Sequence, residues 1–333
     1  MPERLKEIEH WLSAELGLEN KKITPASSDA SFRRYFRVAM TQGSRIIMDA
    51  PPEHENCQQF VTVARAFRAM GLNVPEVLHT NLTRGFLLLT DLGSRLYLDS
   101  LDESNVDRLY GDAIGALITM QVCGSTQRDL LPVYDRALLM TEMELFREWF
   151  LQKQLGLILT DKQHEILDQS FELLVQSALD QPQVCVHRDF HSRNLMVNKQ
   201  HNPGILDFQD AVFGPITYDL VSLLRDCYVA WPEKRVADWA QGYFELAVQS
   251  GLLIEGDEAQ FMRWFDFMGV QRHLKAIGIF SRLNIRDSKP DYLQDIPRTL
   301  DYILDVSANY DELCELNNFL NKHVVQTMRS LCQ

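Results

Sequence analysis

Two short stretches carry residue types suited to moving a charged group. VHRDFHSRNLMV spans Val186–Val197, and GILDFQD spans Gly204–Asp210. Each sets acidic or amide side chains in a loop between apolar β-type runs, where rigid flanks hold catalytic groups in place. Their common chemistry would be phosphoryl transfer, in which nucleophile and leaving oxygen must be in line and the phosphate charge offset. Asp189 is placed to orient an attacking hydroxyl and accept its proton. Asn194 and Asp207 offer hard oxygen ligands to Mg²⁺, which keeps several waters and needs few protein ligands. Such an ion bridges phosphate oxygens and stabilises developing charge. Arg193, next to Asn194, either brings a fixed charge to the γ-phosphate or forms a salt bridge with an acidic neighbour such as Asp189. The bland alternative is a pair of polar turns; two such loops, in this order and flanked by apolar strands, argue against it.

The elements that must position these loops follow from periodicity. A helix is expected over Arg4–Leu16. Alternation from Ser31 to Met48 around Gly43 predicts a hairpin, broken by Pro51 and Pro52. A second helix runs from Asn56 to Met70, with Phe60, Val63, Ala64 and Phe67 on one face and a stop at Gly71. Strand-like runs follow at Val74–Leu78 and Phe86–Thr90. Beyond Gly93 apolar periodicity predicts helices near Val106–Gln121, Arg136–Gln154, Asp161–Leu179, Tyr218–Ala230, Val236–Gln249 and Ala259–Phe280, with more after Pro297. The exceptions are β-type runs at Val184–Val186, Leu195–Val197 and Gly204–Leu206. The expected order is a small β-rich unit, residues 1–91, then a large helical unit, residues 92–333, with a few strands inside it. No repeat or low-complexity tract interrupts this order.

Composition excludes several classes. A net charge of −13 over 333 residues argues against nonspecific nucleic-acid or membrane-surface binding, which needs basic patches. Six cysteines lie far apart with no metal-ligand spacing, which fits a reduced, cytoplasmic compartment. The N-terminus MPERLKEIEHWL alternates charged and apolar residues, unlike a signal peptide. No apolar run approaches the roughly 18 residues of a membrane span. No obligate protein partner is evident.

The spacing His-x-Asp-x-x-x-x-Asn matches the catalytic loop of kinases, and Asp207 sits where a kinase places the aspartate of its DFG segment. HRDFHSRNL, ILDFQD and PITYDL (Pro215–Leu220) together resemble the aminoglycoside phosphotransferase superfamily, with His191 at its second histidine and Asp219–Leu220 at its Asp-Leu pair. Within it, SSDASFRRYFR (Ser27–Arg37), MDAPPEHENC (Met48–Cys57), GFLLLTDLG (Gly85–Gly93) and LDFQDAVFGPITYD (Leu206–Asp219) resemble the bacterial anomeric N-acetylmuramate/N-acetylglucosamine kinases of cell-wall recycling. The resemblance implies an α+β, two-lobed protein-kinase-like fold, with a β-rich N-lobe and a mainly helical C-lobe. It implies ATP and Mg²⁺, a small amino-sugar acceptor, Asp189 as base, and Asn194 and Asp207 as metal ligands. It places Ser28, Asp29, Ala30 and Ser31 in the phosphate-covering turn, and the backbone of Thr90, Asp91 and Leu92 at the adenine.

One departure matters. Kinases carry a lysine on the third strand, whereas the equivalent here reads Ile46-Ile47-Met48-Asp49. Arg33, Arg34 or Arg45 is the candidate replacement. Substrate-lining candidates are Arg225, Trp231, Arg272, His273 and Lys275, each of which could equally be ordinary structure. Competing readings are an aminoglycoside or other small-metabolite kinase of this fold, and an ATP-binding pseudokinase scaffold, for which only the missing lysine speaks. A protein kinase fits less well, because PITYDL follows Asp207 too closely to leave room for an activation segment.

Overall fold

The computed structural model describes residues 2–18, 21–28 and 32–331. The chain divides into two units, Met1–Arg95 with Met196–Gln209, and Leu96–Leu195 with Asp210–Gln333. Residues 196–209 thus group with the first unit, although the sequence places them inside the helical stretch.

In the first unit α1 (Pro2–His10) runs on through a wider turn at Trp11–Glu15. A five-stranded antiparallel sheet follows, built from β1 (Ile23–Ser28), β2 (Arg34–Ala39), β3 (Ser44–Asp49), β4 (Val77–Asn81) and β5 (Phe86–Thr90) in the order β1-β2-β3-β5-β4. The β2–β3 hairpin turns at Gly43, whose φ of +72° suits glycine. Ile8, Trp11 and Leu12 pack against Val38, Ile47, Phe86 and Leu88, each buried large side chain contributing about 2 kcal/mol. Periodicity gave no sign of β1, although the resemblance sets the Ser28–Ser31 turn between the first strands. β1 is an edge strand that carries Pro25 and a bulge between Pro25 and Ser27, features that mask alternation.

Between β3 and β4 lies α2 (Cys57–Ala69), capped by Asn56, whose side chain accepts the Gln59 N–H at 3.2 Å. Its buried face carries Phe60, Val63, Ala64 and Phe67 as expected. The rings of Phe60 and Phe67 meet Phe208 at 4.8 and 5.8 Å. This contact, with Ile205 N–H donating to Asn73 O at 2.8 Å, seats residues 196–209 in the first unit.

The second unit is mainly helical. It contains α3 (Tyr97–Ser100), α4 (Val106–Gly124), α5 (Arg136–Leu145), α6 (Asp161–Leu179), β6 (Gln183–Val186), β7 (Leu195–Met196, at the junction), β9 (Val212–Pro215), α7 (Tyr218–Leu224), α8 (Glu233–Gln249), α9 (Glu258–Asp287) and α10 (Ile296–Ser307); β8 (Gly204–Ile205) pairs with β7. β6 and β9 pair antiparallel from Gln183↔Pro215 to Val186↔Val212. The 30-residue α9 forms the spine. At Gly278 a side chain would meet the Leu145 backbone at 2.4 Å, so glycine lets α9 close on the end of α5. α7 ends at Leu224, short of the expected Ala230, because Asp226 accepts the Tyr228 N–H at 2.9 Å and turns the chain.

Candidate active site

The loop after β6 is held near both ends by buried carboxylates. Asp219, in the first turn of α7, accepts the backbone N–H groups of His187 at 2.6 Å and Arg188 at 2.9 Å. Asp226, past the end of α7, accepts the Ser192 N–H at 2.9 Å. Both carboxylates are fully buried. Burial pushes Asp219 up to about 7, against the pull of its two N–H donors. Arg188 has φ of +77°, a conformation that a non-glycine residue keeps only where its surroundings hold it. Within the loop, His191 N–H and Asn194 Nδ2 both donate to the Asp189 carbonyl, at 3.1 and 3.0 Å. With its nitrogen so engaged, the Asn194 amide presents Oδ1 as the acceptor for a cation.

Burial alone would raise Asp189, but Lys275, His191, Arg272 and Arg188 outweigh it and hold the carboxyl at about 2. Burial also lowers the pKa of His191, so the permanent cations carry most of that effect. Glu142 pairs with two of them. Its buried carboxylate pairs with Arg188 and with Lys275 Nζ at 3.0 Å, and accepts hydrogen bonds from Tyr134 and from Gln271 at 3.4 Å. Lys275 also donates to Tyr218 Oη at 2.8 Å. Glu142 was missed in the sequence. The signal was an acid set among the buried apolar residues of α5, beside Leu139 and Met143. Asp226 was missed too, although an acid directly after the fully buried α7 marks the same kind of site.

Arg193 is exposed and lies over the rings of Tyr228 and Tyr292, 4.5 and 5.3 Å from their centroids. Among the described residues it makes no ion pair with Asp189. The substrate-lining candidates have partners within the second unit. Arg225 pairs with Asp266 at 2.7 Å, Trp231 donates to Tyr110 Oη at 3.1 Å, and His273 stacks on Tyr302 at 4.9 Å; Lys275 serves Glu142. Buried Arg272 reaches Cys227 Sγ at 3.7 Å, and its Nε finds no partner among the described residues.

In the first unit Asp207 has φ of +62°. Its Oδ1 accepts from Gln209 Nε2 at 2.9 Å and Arg33 Nη2 at 3.2 Å. Gln59 of α2 in turn donates to Gln209 O at 2.9 Å. Asp49, at the strand position expected for lysine, is fully buried and accepts from Arg4 Nε at 2.9 Å and from Arg34. Asp91 is a structural acid, pairing with Arg37 Nε at 2.6 Å and accepting Ser44 Oγ at 2.5 Å and the Gly93 N–H at 2.9 Å. Thr90 Oγ1 accepts the Glu76 N–H at 2.8 Å, and Leu92 O accepts Asn198 Nδ2 at 3.0 Å. Ser28 closes β1 opposite Arg34. Asp29, Ala30 and Ser31 lie outside the described residues.

Residues 22–253 match the family described as "Phosphotransferase enzyme family". A curated relative named N-acetylmuramate/N-acetylglucosamine kinase, from Pseudomonas putida, is 45% identical over 96% of this chain and 97% of its own length. A protein of the same name from Pseudomonas aeruginosa is 46% identical over 90% of this chain and 88% of its own. Among solved structures, ADP-bound aminoglycoside phosphotransferase APH(2'')-Ib superposes with a TM-score of 0.57 at 15% identity, covering 89% of this chain and 97% of that one. The fold is the protein-kinase-like α+β fold.

Proposed function

The chain belongs to the phosphotransferase enzyme family, and we propose that it transfers the γ-phosphoryl group of ATP to the anomeric hydroxyl of N-acetylmuramate and N-acetylglucosamine, a step of peptidoglycan recycling. The sugar class rests on the name shared by the relatives that align along almost the whole chain. The observation that carries the chemistry is the loop that presents Asp189, held at His187, Arg188 and Ser192 by the buried carboxylates of Asp219 and Asp226, with Lys275, Arg272 and Arg188 near enough to lower its pKa.

A carboxylate of such low pKa is a weak proton acceptor. It suits an acceptor whose proton leaves late, in a loose transition state where bonding to the nucleophile lags. It also suits a hemiacetal hydroxyl, more acidic than an ordinary alcohol. Asp189 orients that hydroxyl through a charge-assisted hydrogen bond and takes its proton as the bond to phosphorus forms. Asn194 Oδ1 and the Asp207 carboxylate are the donors offered to Mg²⁺, hard oxygens in the small number this ion takes from protein. A Mg²⁺ ion held there would supply positive charge to offset that of the phosphates. Arg193 keeps a fixed positive charge beside Asn194 in sequence, available to the γ-phosphate.

Release of ADP with N-acetylmuramate, N-acetylglucosamine, kanamycin and a generic protein as acceptors tests the reading. Turnover of the two sugars supports it. Turnover of kanamycin alone returns the chain to the antibiotic-modifying branch of the fold.

A further inference from the structure

Kinases pair a third-strand lysine with a glutamate of the following helix, and the lysine holds the nucleotide's phosphates. That strand here ends in Asp49, whose buried carboxylate is taken by Arg4 and Arg34. Arg34 is therefore committed to Asp49, and Arg45 donates to the Ser44 carbonyl at 2.9 Å. Arg33 is placed differently. It precedes β2, just after the turn expected to cover the phosphates, and its side chain is 8% exposed. Its Nε lies 3.6 Å from Glu55 Oε2 and its Nη2 3.2 Å from Asp207 Oδ1. Glu55 immediately precedes Asn56, the cap of α2.

One guanidinium thus spans an acid at the head of the helix and the aspartate proposed for the metal. These are the two kinds of carboxylate that flank the lysine in other kinases. We infer that Arg33 and Glu55 replace that lysine–glutamate pair: Arg33 supplies the cation for the nucleotide's phosphates, and Glu55 positions it. The inference rests on the kinase reading above. Arginine suits the task, because its planar fork can hold a carboxylate along one edge and a phosphate along another. Moving the cation from β3 to the head of β2 also explains why an aspartate is tolerated at the lysine's usual place.

Calorimetric titration of the full chain with ADP and with adenosine, both with Mg²⁺ present, tests this. A charge-assisted contact to phosphate is worth about 10- to 100-fold in affinity. Arg33→Met is expected to lose that much for ADP and to bind adenosine as the wild type does. Arg33→Lys should restore most of the ADP affinity, and Glu55→Gln should lose part of it with adenosine unchanged. Wild-type ADP affinity in Arg33→Met overturns the inference while leaving the kinase reading intact. Equal loss for ADP and adenosine, in Arg33→Met and Arg33→Lys alike, assigns Arg33 to structure and also overturns it. A wild-type protein that binds neither probe removes the kinase reading, and the inference with it.

Discussion

Asp189 owes its charge to Lys275, Arg272 and Arg188, and those cations owe part of their balance to Asp189 and Glu142. Asp189→Asn keeps the shape and removes the charge. It is expected to lower kcat by about 10²–10⁴, with ADP affinity unchanged in a calorimetric titration; retention of more than about a tenth of kcat excludes Asp189 as the base. The same variant carries a stability signature. The folded pKa of Asp189 lies below its ordinary 3.8, so its stabilisation is fully present above about pH 4 and is lost as pH falls through about 2. Urea unfolding should show a stability gap between wild type and Asp189→Asn at about pH 5 that narrows below about pH 4. The loop was legible as a candidate site because Asp189 and Asn194 lie within one short segment. Glu142 was not, because its partners Arg188 and Lys275 are far from it in sequence and meet it only through packing.

At the scale of elements, two acids that look alike in sequence do different work. Asp49 ties α1 to the end of β3: Arg4 reaches it from the helix, lies 5.0 Å over the Phe86 ring, and donates to Arg84 O at 2.8 Å. Asp49→Ala leaves two arginines without their buried partner, at a cost of about 3 kcal/mol, read as a lower unfolding midpoint. It should leave the Mg²⁺-dependent part of ATP binding in place, whereas Asp207→Ala should abolish that part. Equal metal dependence in wild type and Asp207→Ala removes Asp207 from the ligand set. Asp219 is the second element-scale test. In Asp219→Asn one oxygen must serve two N–H donors, so the His187–Arg188 turn loosens and kcat should fall about 10- to 100-fold. Unchanged kcat makes the contact dispensable.

The hairpin at Gly43, α2 with its buried face, β5 and most long helices were readable from periodicity. β9 was not, since Val212–Pro215 is apolar on both faces and buried throughout, and such short runs carry no alternation. Neither was the grouping of residues 196–209 with the first unit, because no change in composition marks it.

Across the whole molecule, no helix among the described residues is long and apolar enough to cross a membrane. Within the acidic total of −13, Lys275, Arg272 and Arg188 lie near enough to Asp189 to lower its pKa. In the reaction proposed above, phosphate lands on the anomeric oxygen. The direct test offers ATP with N-acetylmuramate, N-acetylglucosamine and the methyl glycosides of both, following ADP release and the phosphorus NMR spectrum of the product. The free sugars should give sugar 1-phosphates, and the glycosides, whose anomeric oxygen is blocked, should give no ADP above background. Glycosides turned over at the rate of the free sugars would place the phosphate on another hydroxyl and contradict transfer to the anomeric oxygen.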